Sequence, residues 1–354
     1  MSRDWTRWAV GGAGLVLGAG GAALWGWKRR RLTALAAGSE LVTTDRGPIE
    51  VARSGSGFPV LVLHGNPGGY DQSLLLGEAL FDEGFEVIAP SRPGYLRTPL
   101  DDTLTFEDQA ALLVALLDEL DVQEAMVVGL SGGGPHALQL AAEYPERVSG
   151  LILGGAVTVE YDEQLFDTGN PVLDPLLTST PVLDVRSGVF AALRGAVPDR
   201  FVASLHAELS TLEGDDLERY VEFVSTHPTH RERVLEFAPT VLPVSARIDG
   251  TLHDERLFRD LPHVDYGTIE CPTLVVHGEF DAAVPMAHAE YVVEALPDAE
   301  LVRLEADHLA WVGPDAHRAE RAVERFTESV VSTGARPEAQ GGDAGRRRSS
   351  GATE

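Results

Sequence analysis

The chain holds one cysteine, Cys271, and one lysine, Lys28, among its 354 residues. A lone cysteine excludes an intrachain disulfide and a thiolate metal site. Cys271 opens the apolar run Cys271-Pro-Thr-Leu-Val-Val and reads as a small buried side chain. With lysine nearly absent, arginine supplies almost all the positive charge, and 55 acidic residues outweigh it for a formal charge of -27. Such a field repels phosphate backbones, which argues against nucleic acid as a partner. Abundant acid with almost no lysine also gives a halophile-like composition, because at molar salt the Debye length shrinks to about 3 Å and self-repulsion fades. There is no internal repeat, and 44% hydrophobic with 23% charged residues are globular proportions.

Charge is missing altogether from residues 8–27, a span of 20 positions. That length suffices for one membrane crossing, and Trp5, Trp8, Trp25 and Trp27 stand where an aromatic belt would lie. Lys28-Arg29-Arg30-Arg31 follows at once, which predicts a single-pass anchor in the cell membrane with the body in the cytoplasm. A cleaved secretory signal ending near Ala34-Leu35-Ala36 is the competing expectation, although its charges would follow the apolar stretch rather than precede it. A segment that neither anchors nor is cleaved is the third, and seven glycines dilute its apolar character.

From Glu40 onward strands and helices alternate. Strands are predicted over 41–44, 49–53, 60–63, 86–89, 125–130, 148–153, 273–277 and 300–304, several of them continuous apolar runs that need cover on both faces. Helices are predicted over 71–83, 106–120 (with Thr105 as its cap), 135–144, 287–296 and 314–331. This alternation implies a parallel sheet. Between 157 and 267 the rhythm gives way to scattered prolines and acidic helices such as 216–224 and 231–237. That stretch reads as a helical cap inserted into a core made of 40–156 and 268–331. A tail over 332–354, rich in Gly, Ala, Arg and Ser, is expected to be disordered.

Chemistry concentrates at the ends of these strands. Gly129-Leu130-Ser131-Gly132-Gly133 joins a buried strand to a helix, a G-x-S-x-G in strand–turn–helix context. The turn presents the Ser131 hydroxyl, and its small neighbours, Gly129 and Gly133, let strand and helix approach. A phosphate loop would need a lysine that is absent here. His64-Gly65-Asn66-Pro67-Gly68-Gly69 follows another buried strand. Its sharp turn can aim the Asn66 N–H at the space over Ser131, beside the N–H of Gly132, to hold a developing oxyanion. His64 and Gly65 brace this loop. Asp281, in His277-Gly278-Glu279-Phe280-Asp281, supplies a carboxylate, and His308, in Ala306-Asp307-His308, an imidazole. Serine needs an imidazole to take its proton and a carboxylate to fix the imidazole tautomer. Glu279 and Asp307 are the reserve acids. His227 and His230 share an H-x-x-H spacing, but Pro228 and the want of a third ligand argue against a metal.

The motifs HGNPGG at 64–69, SRPGY at 91–95, GLSGGG at 129–134, HGEFDAAVP at 277–285 and ADH at 306–308, in this order, resemble those of the α/β-hydrolase superfamily. The resemblance covers residues 40 to 331. It implies an α/β fold with a mostly parallel eight-stranded sheet, helices on both faces and a cap between strands six and seven. It also implies a serine hydrolase that acts on a small-molecule substrate, such as a carboxylic ester, without a cofactor or metal. Peroxidase, aminopeptidase and carbon–carbon hydrolase chemistries use the same triad, and a non-catalytic binding module is the reading of a different class.

Overall fold

The computed structural model describes residues 4–81, 83–162, 170, 173–261 and 264–334. Among them the apolar runs become eight strands: β1 (Glu40–Thr44), β2 (Gly47–Gly55), β3 (Gly57–Leu63), β4 (Gly84–Pro90), β5 (Ala125–Leu130), β6 (Val148–Gly154), β7 (Thr273–Gly278) and β8 (Ala299–Leu304). They form one sheet in the order β1-β2-β4-β3-β5-β6-β7-β8. β2 runs antiparallel to β1 and β4, and every other neighbouring pair is parallel. All six residues of β5 and of β7 are buried, as strands covered on both faces require.

Each face has its own apolar core. On one side Leu113, Leu116 and Leu117 of helix Phe106–Glu119 join Leu138 and Val292 against Leu61, Val127 and Leu153. On the other, Tyr70 and Leu76 of helix Tyr70–Leu80 join Val323 and Val330 of helix Ala316–Gly334 against Val62, Val128 and Leu274. Helix Phe106–Glu119 starts at a capping box, in which the Thr105 hydroxyl accepts from the Asp108 N–H and the Asp108 carboxylate accepts from the Thr105 N–H. The helix expected over 71–83 ends at Leu80, because Phe81 turns extended and packs its ring 5.5 Å from Phe85.

Between β6 and β7 the chain folds into helices Asp174–Leu177, Thr180–Ala196, Pro198–Leu209, Gly214–Thr226, Pro228–Phe237 and Ile248–Phe258. Val202, Tyr220, Val224 and Val234 build a small core of their own, which includes Leu309 and Val312 from the loop after β8. Of the tail expected to be disordered, residues 332–334 belong to helix Ala316–Gly334, and 335–354 lie outside the described residues.

The expectation of a membrane-crossing helix at the N-terminus does not hold. A helix runs over Asp4–Ala37, yet among the described residues no helix is long and apolar enough to cross a membrane. The assignment to the cell membrane, and the membrane as a partner, fall with it. Where the sequence suggested a bilayer boundary, the helix docks on the body instead. Lys28 Nζ lies 2.7 Å from Asp184, Arg31 reaches Asp71 at 2.7 Å, and Leu35 is buried while its carbonyl accepts from the Tyr70 hydroxyl. Two of the four basic residues, Lys28 and Arg31, thus find counter-charges in the protein.

Candidate active site

Four loops meet at the carboxyl ends of β3, β5, β7 and β8. β5 runs directly into the turn Ser131–Gly133, and helix Gly134–Glu143 follows. Ser131 has φ 51°, a left-handed conformation that costs a non-glycine residue roughly 1–3 kcal/mol. The surrounding packing imposes it. A Cβ on Gly133 would collide with the Leu63 and His64 carbonyls, and one on Gly129 would stand 2.7 Å from Ala137 Cβ. Glycine at 129 and 133 therefore lets the turn press against β3 and its own helix.

The structure brings Ser131, His308 and Asp281 together. His308 Nε2 is 3.1 Å from Ser131 Oγ, and His308 Nδ1 is 2.8 Å from Asp281 Oδ2. A carboxylate only accepts, so Nδ1 carries the proton and Nε2 is left to accept from the serine hydroxyl. The other Asp281 oxygen, Oδ1, accepts from the N–H groups of Ala283 (2.9 Å) and Val284 (2.8 Å), which fixes the carboxylate in the turn. Gly155, at φ 53°, passes so close that a Cβ there would sit 3.3 Å from the His308 ring.

The loop after β3 closes the opposite side. A Cβ on Gly65 would lie 3.0 Å from Ser131 Cβ, and one on Gly132 would lie 3.0 Å from Asn66 Cβ and 3.1 Å from the Phe258 ring. Residues 65 and 66 thus face residues 131 and 132 across a narrow gap. His64 is fully buried and shapes this loop. Its Nε2 accepts from the Arg92 N–H (3.0 Å), so its Nδ1 donates to the Gly65 carbonyl (2.8 Å). Burial, and then the Arg92 guanidinium, push the His64 pKa well below that of a free histidine. His64 is a neutral brace with both nitrogens engaged.

A model of the alpha/beta hydrolase fold matches residues 59–312. The chain belongs to that family. It is 31% identical to an alpha/beta hydrolase fold protein from Nakamurella multipartita, whose structure superposes with a TM-score of 0.72 over 82% of this chain and 99% of that one. It is 29% identical to the hydrolase YcgS of Bacillus subtilis (strain 168), over 82% of this chain and 98% of YcgS. It is also 29% identical to a 2-hydroxymuconate semialdehyde hydrolase of Pseudomonas putida, over 77% of this chain and 88% of the relative. An enzyme of the hydrolase class follows from this kinship.

This α/β hydrolase also carries a buried polar cluster that the sequence disclosed only in part. Arg92 Nη1 lies 2.8 Å from Asp254 Oδ2 and donates to His136 Nε2 (2.6 Å), and all three side chains are buried. Burial alone would raise the Asp254 carboxyl, but the Arg92 guanidinium outweighs it and holds it below the usual range. Burial and Arg92 lower the His136 pKa to about 4. The Tyr95 hydroxyl lies 2.6 Å from Asp254 Oδ2 and 3.1 Å from Asn66 Oδ1, which ties Asn66 to the cluster. Arg92 and Tyr95 lie in the SRPGY motif. Asp254 lies in inserted helix Ile248–Phe258, 162 residues from Arg92, so only the fold reveals the pairing. The reserve acids stand apart from the row. Glu279 is exposed, and Asp307 points to His206. The His227 ring stacks on Phe223 at 4.0 Å, and its Nδ1 bonds the Phe223 carbonyl.

Proposed function

We propose that this hydrolase cleaves a small carboxylic ester or related acyl compound through a covalent acyl intermediate on Ser131. The observation that carries the reading is the hydrogen-bonded row Ser131–His308–Asp281, at 3.1 and 2.8 Å. His308 Nε2 takes the proton as Ser131 Oγ attacks the carbonyl, and Asp281 stabilises the imidazolium that forms. The carbonyl oxygen becomes an anion in the gap between residues 65–66 and 131–132. There the N–H groups of Asn66 and Gly132 are the donors, each worth roughly 3 kcal/mol to the transition state. His308 then gives its proton to the departing alcohol. A water, activated by the same imidazole, releases the acid and restores the serine. The helices between 157 and 267 act as a cap over this space. Phe258, Val157 and Val284, which pack in one apolar cluster with Phe258 beside Gly132, supply a water-excluding wall.

Similarity to 2-hydroxymuconate semialdehyde hydrolase favours one further reading, hydrolysis of a carbon–carbon bond by the same residues. Short p-nitrophenyl esters and that semialdehyde, offered side by side, separate the two by kcat/KM. Under either, Ser131→Ala lowers turnover by about 10⁴-fold or more. A fluorophosphonate probe labels the wild type at Ser131, as shown by peptide mass spectrometry. Undiminished turnover by Ser131→Ala, or a wild-type Ser131 inert to the probe, would overturn the mechanism.

A further inference from the structure

Asp307 precedes His308, yet its carboxylate faces away from the serine. It is fully buried, and its Oδ2 lies 2.5 Å from Nδ1 of His206, which is equally buried at the end of inserted helix Pro198–Leu209. Nδ1 must be the donor, since a carboxylate only accepts. The other oxygen, Oδ1, accepts from the Leu309 N–H at 3.0 Å. Asp307 therefore grips both a remote helix and the backbone on the far side of His308. Three residues beyond His206 the contact continues along the main chain. The Leu209 carbonyl accepts from Ala282 N–H (3.0 Å) and, over a longer 3.5 Å, from His308 N–H. Ser210 pairs with Asp281 in a short antiparallel bridge, and Thr211 N–H donates to the Phe280 carbonyl at 2.8 Å. One short segment of the insertion thus holds both the acid loop and the base loop.

The surroundings make the side-chain pair costly to disturb. Tyr220, from the next helix, stands edge-on to the His206 ring at 5.4 Å, and its hydroxyl donates to the Val312 carbonyl. Burial, with the Asp307 charge adding to it, raises the Tyr220 pKa far above that of a free tyrosine, so it keeps its proton. His206 Nε2 is buried and finds no hydrogen-bond partner among the described residues. Such an orphaned nitrogen is costly in a purely structural pair, since two apolar side chains in place of both partners would avoid it.

We infer that His206 and Asp307 are a positioning pair for the base, through which the inserted helix sets the distance from His308 to Ser131 and Asp281. The inference rests on the proposed mechanism and adds two residues that never touch substrate. A displacement on the order of 1 Å at such a site costs about 100-fold in rate, which sets the scale of the effect.

The test measures inactivation by a fluorophosphonate, resolved into the maximal rate kinact and the half-saturation constant KI. His206→Leu removes the donor and keeps a comparable shape. Its kinact is expected to fall roughly 10- to 100-fold with KI within about threefold. His206→Asn, which can place an amide N–H near the Nδ1 position, restores kinact to within about threefold of wild type. Val234→Ala opens a cavity in the same small core and leaves both members of the pair in place; its Tm falls and its kinact stays at the wild-type value. Should His206→Leu not fold, His206→Gln carries the test, with its donor displaced by one bond and an intermediate loss of kinact expected. Equal kinact for wild type and for whichever of His206→Leu and His206→Gln folds, or an equal loss in Val234→Ala, would show the pair to be structural only. A wild type inert to the probe would remove the mechanism itself, a result distinct from either.

Discussion

The strands and the helices inserted among them are held in place by different forces. β5 and β7 bury every side chain, whereas helix Thr180–Ala196 buries only Leu183 and Ser187, and helix Gly214–Thr226 only Tyr220 and Val224. Val185, Val189 and Leu193 are left about half exposed along one helix stripe. Apolar area therefore holds the sheet, and the contrast puts weight on the few polar pairs that fasten the insertion to it. Arg247 bonds Asp71 and the Gly68 carbonyl, Asp254 bonds Arg92, and His206 bonds Asp307. Each partner on the sheet side belongs to, or directly supports, a loop of the candidate active site. Fastening the insertion and shaping the site are thus done by the same bonds.

Three experiments sharpen that contrast beyond the changes at Ser131 and His206. The largest effect is expected from Asp254→Ala, which leaves the buried Arg92 guanidinium without its counter-charge. Removing one partner of a buried pair costs about 3–5 kcal/mol, read as a lower urea midpoint. A loss under about 1 kcal/mol would mean that apolar contacts hold the insertion after all. Acid should act next, through the sheet's own helices. Burial lowers the pKa of His136, in helix Gly134–Glu143, and of His288, in helix Ala287–Ala295, to about 4 in each case. A histidine with a lowered folded pKa binds fewer protons folded than unfolded between that value and its ordinary one near 6.5. Stability therefore declines as the pH drops from 6.5 toward 4, by up to about 1.4 kcal/mol per unit for each ring. A urea midpoint unchanged from pH 7 to pH 5 would contradict these assignments. The smallest effect belongs to the exposed stripe. Val189→Ser should move stability by no more than about 0.5 kcal/mol, and a larger drop in Tm would reveal packing that the present geometry lacks.

The same contrast governs what the sequence disclosed. β5 and β7 are legible because their runs are short and apolar and end at glycine. Ser131, Asp281 and His308 are legible because each closes such a run, in an order the fold demands. Asp254 and His206 lie in helices whose periodicity is ordinary, and their partners are 162 and 101 residues away. Nothing local distinguishes them from solvated charges on a helix. The N-terminal helix misled for a related reason. An uncharged stretch followed by four basic residues has the grammar of a membrane boundary, and Asp71 and Asp184, which neutralise Arg31 and Lys28, lie 40 and 156 residues on. Asp307 was visible as a carboxylate beside His308, but one residue of spacing cannot say which way its side chain turns.

The carbonyl of Leu209 receives N–H groups from two loops that otherwise have separate origins in the sheet. A chimera that exchanged these helices for those of a relative, in search of a new specificity, would also exchange the hinge pin on which the Asp281 and His308 loops are mounted. Grafts cut on the far side of Thr211, with residues 206–211 kept from the parent, would leave that mounting intact.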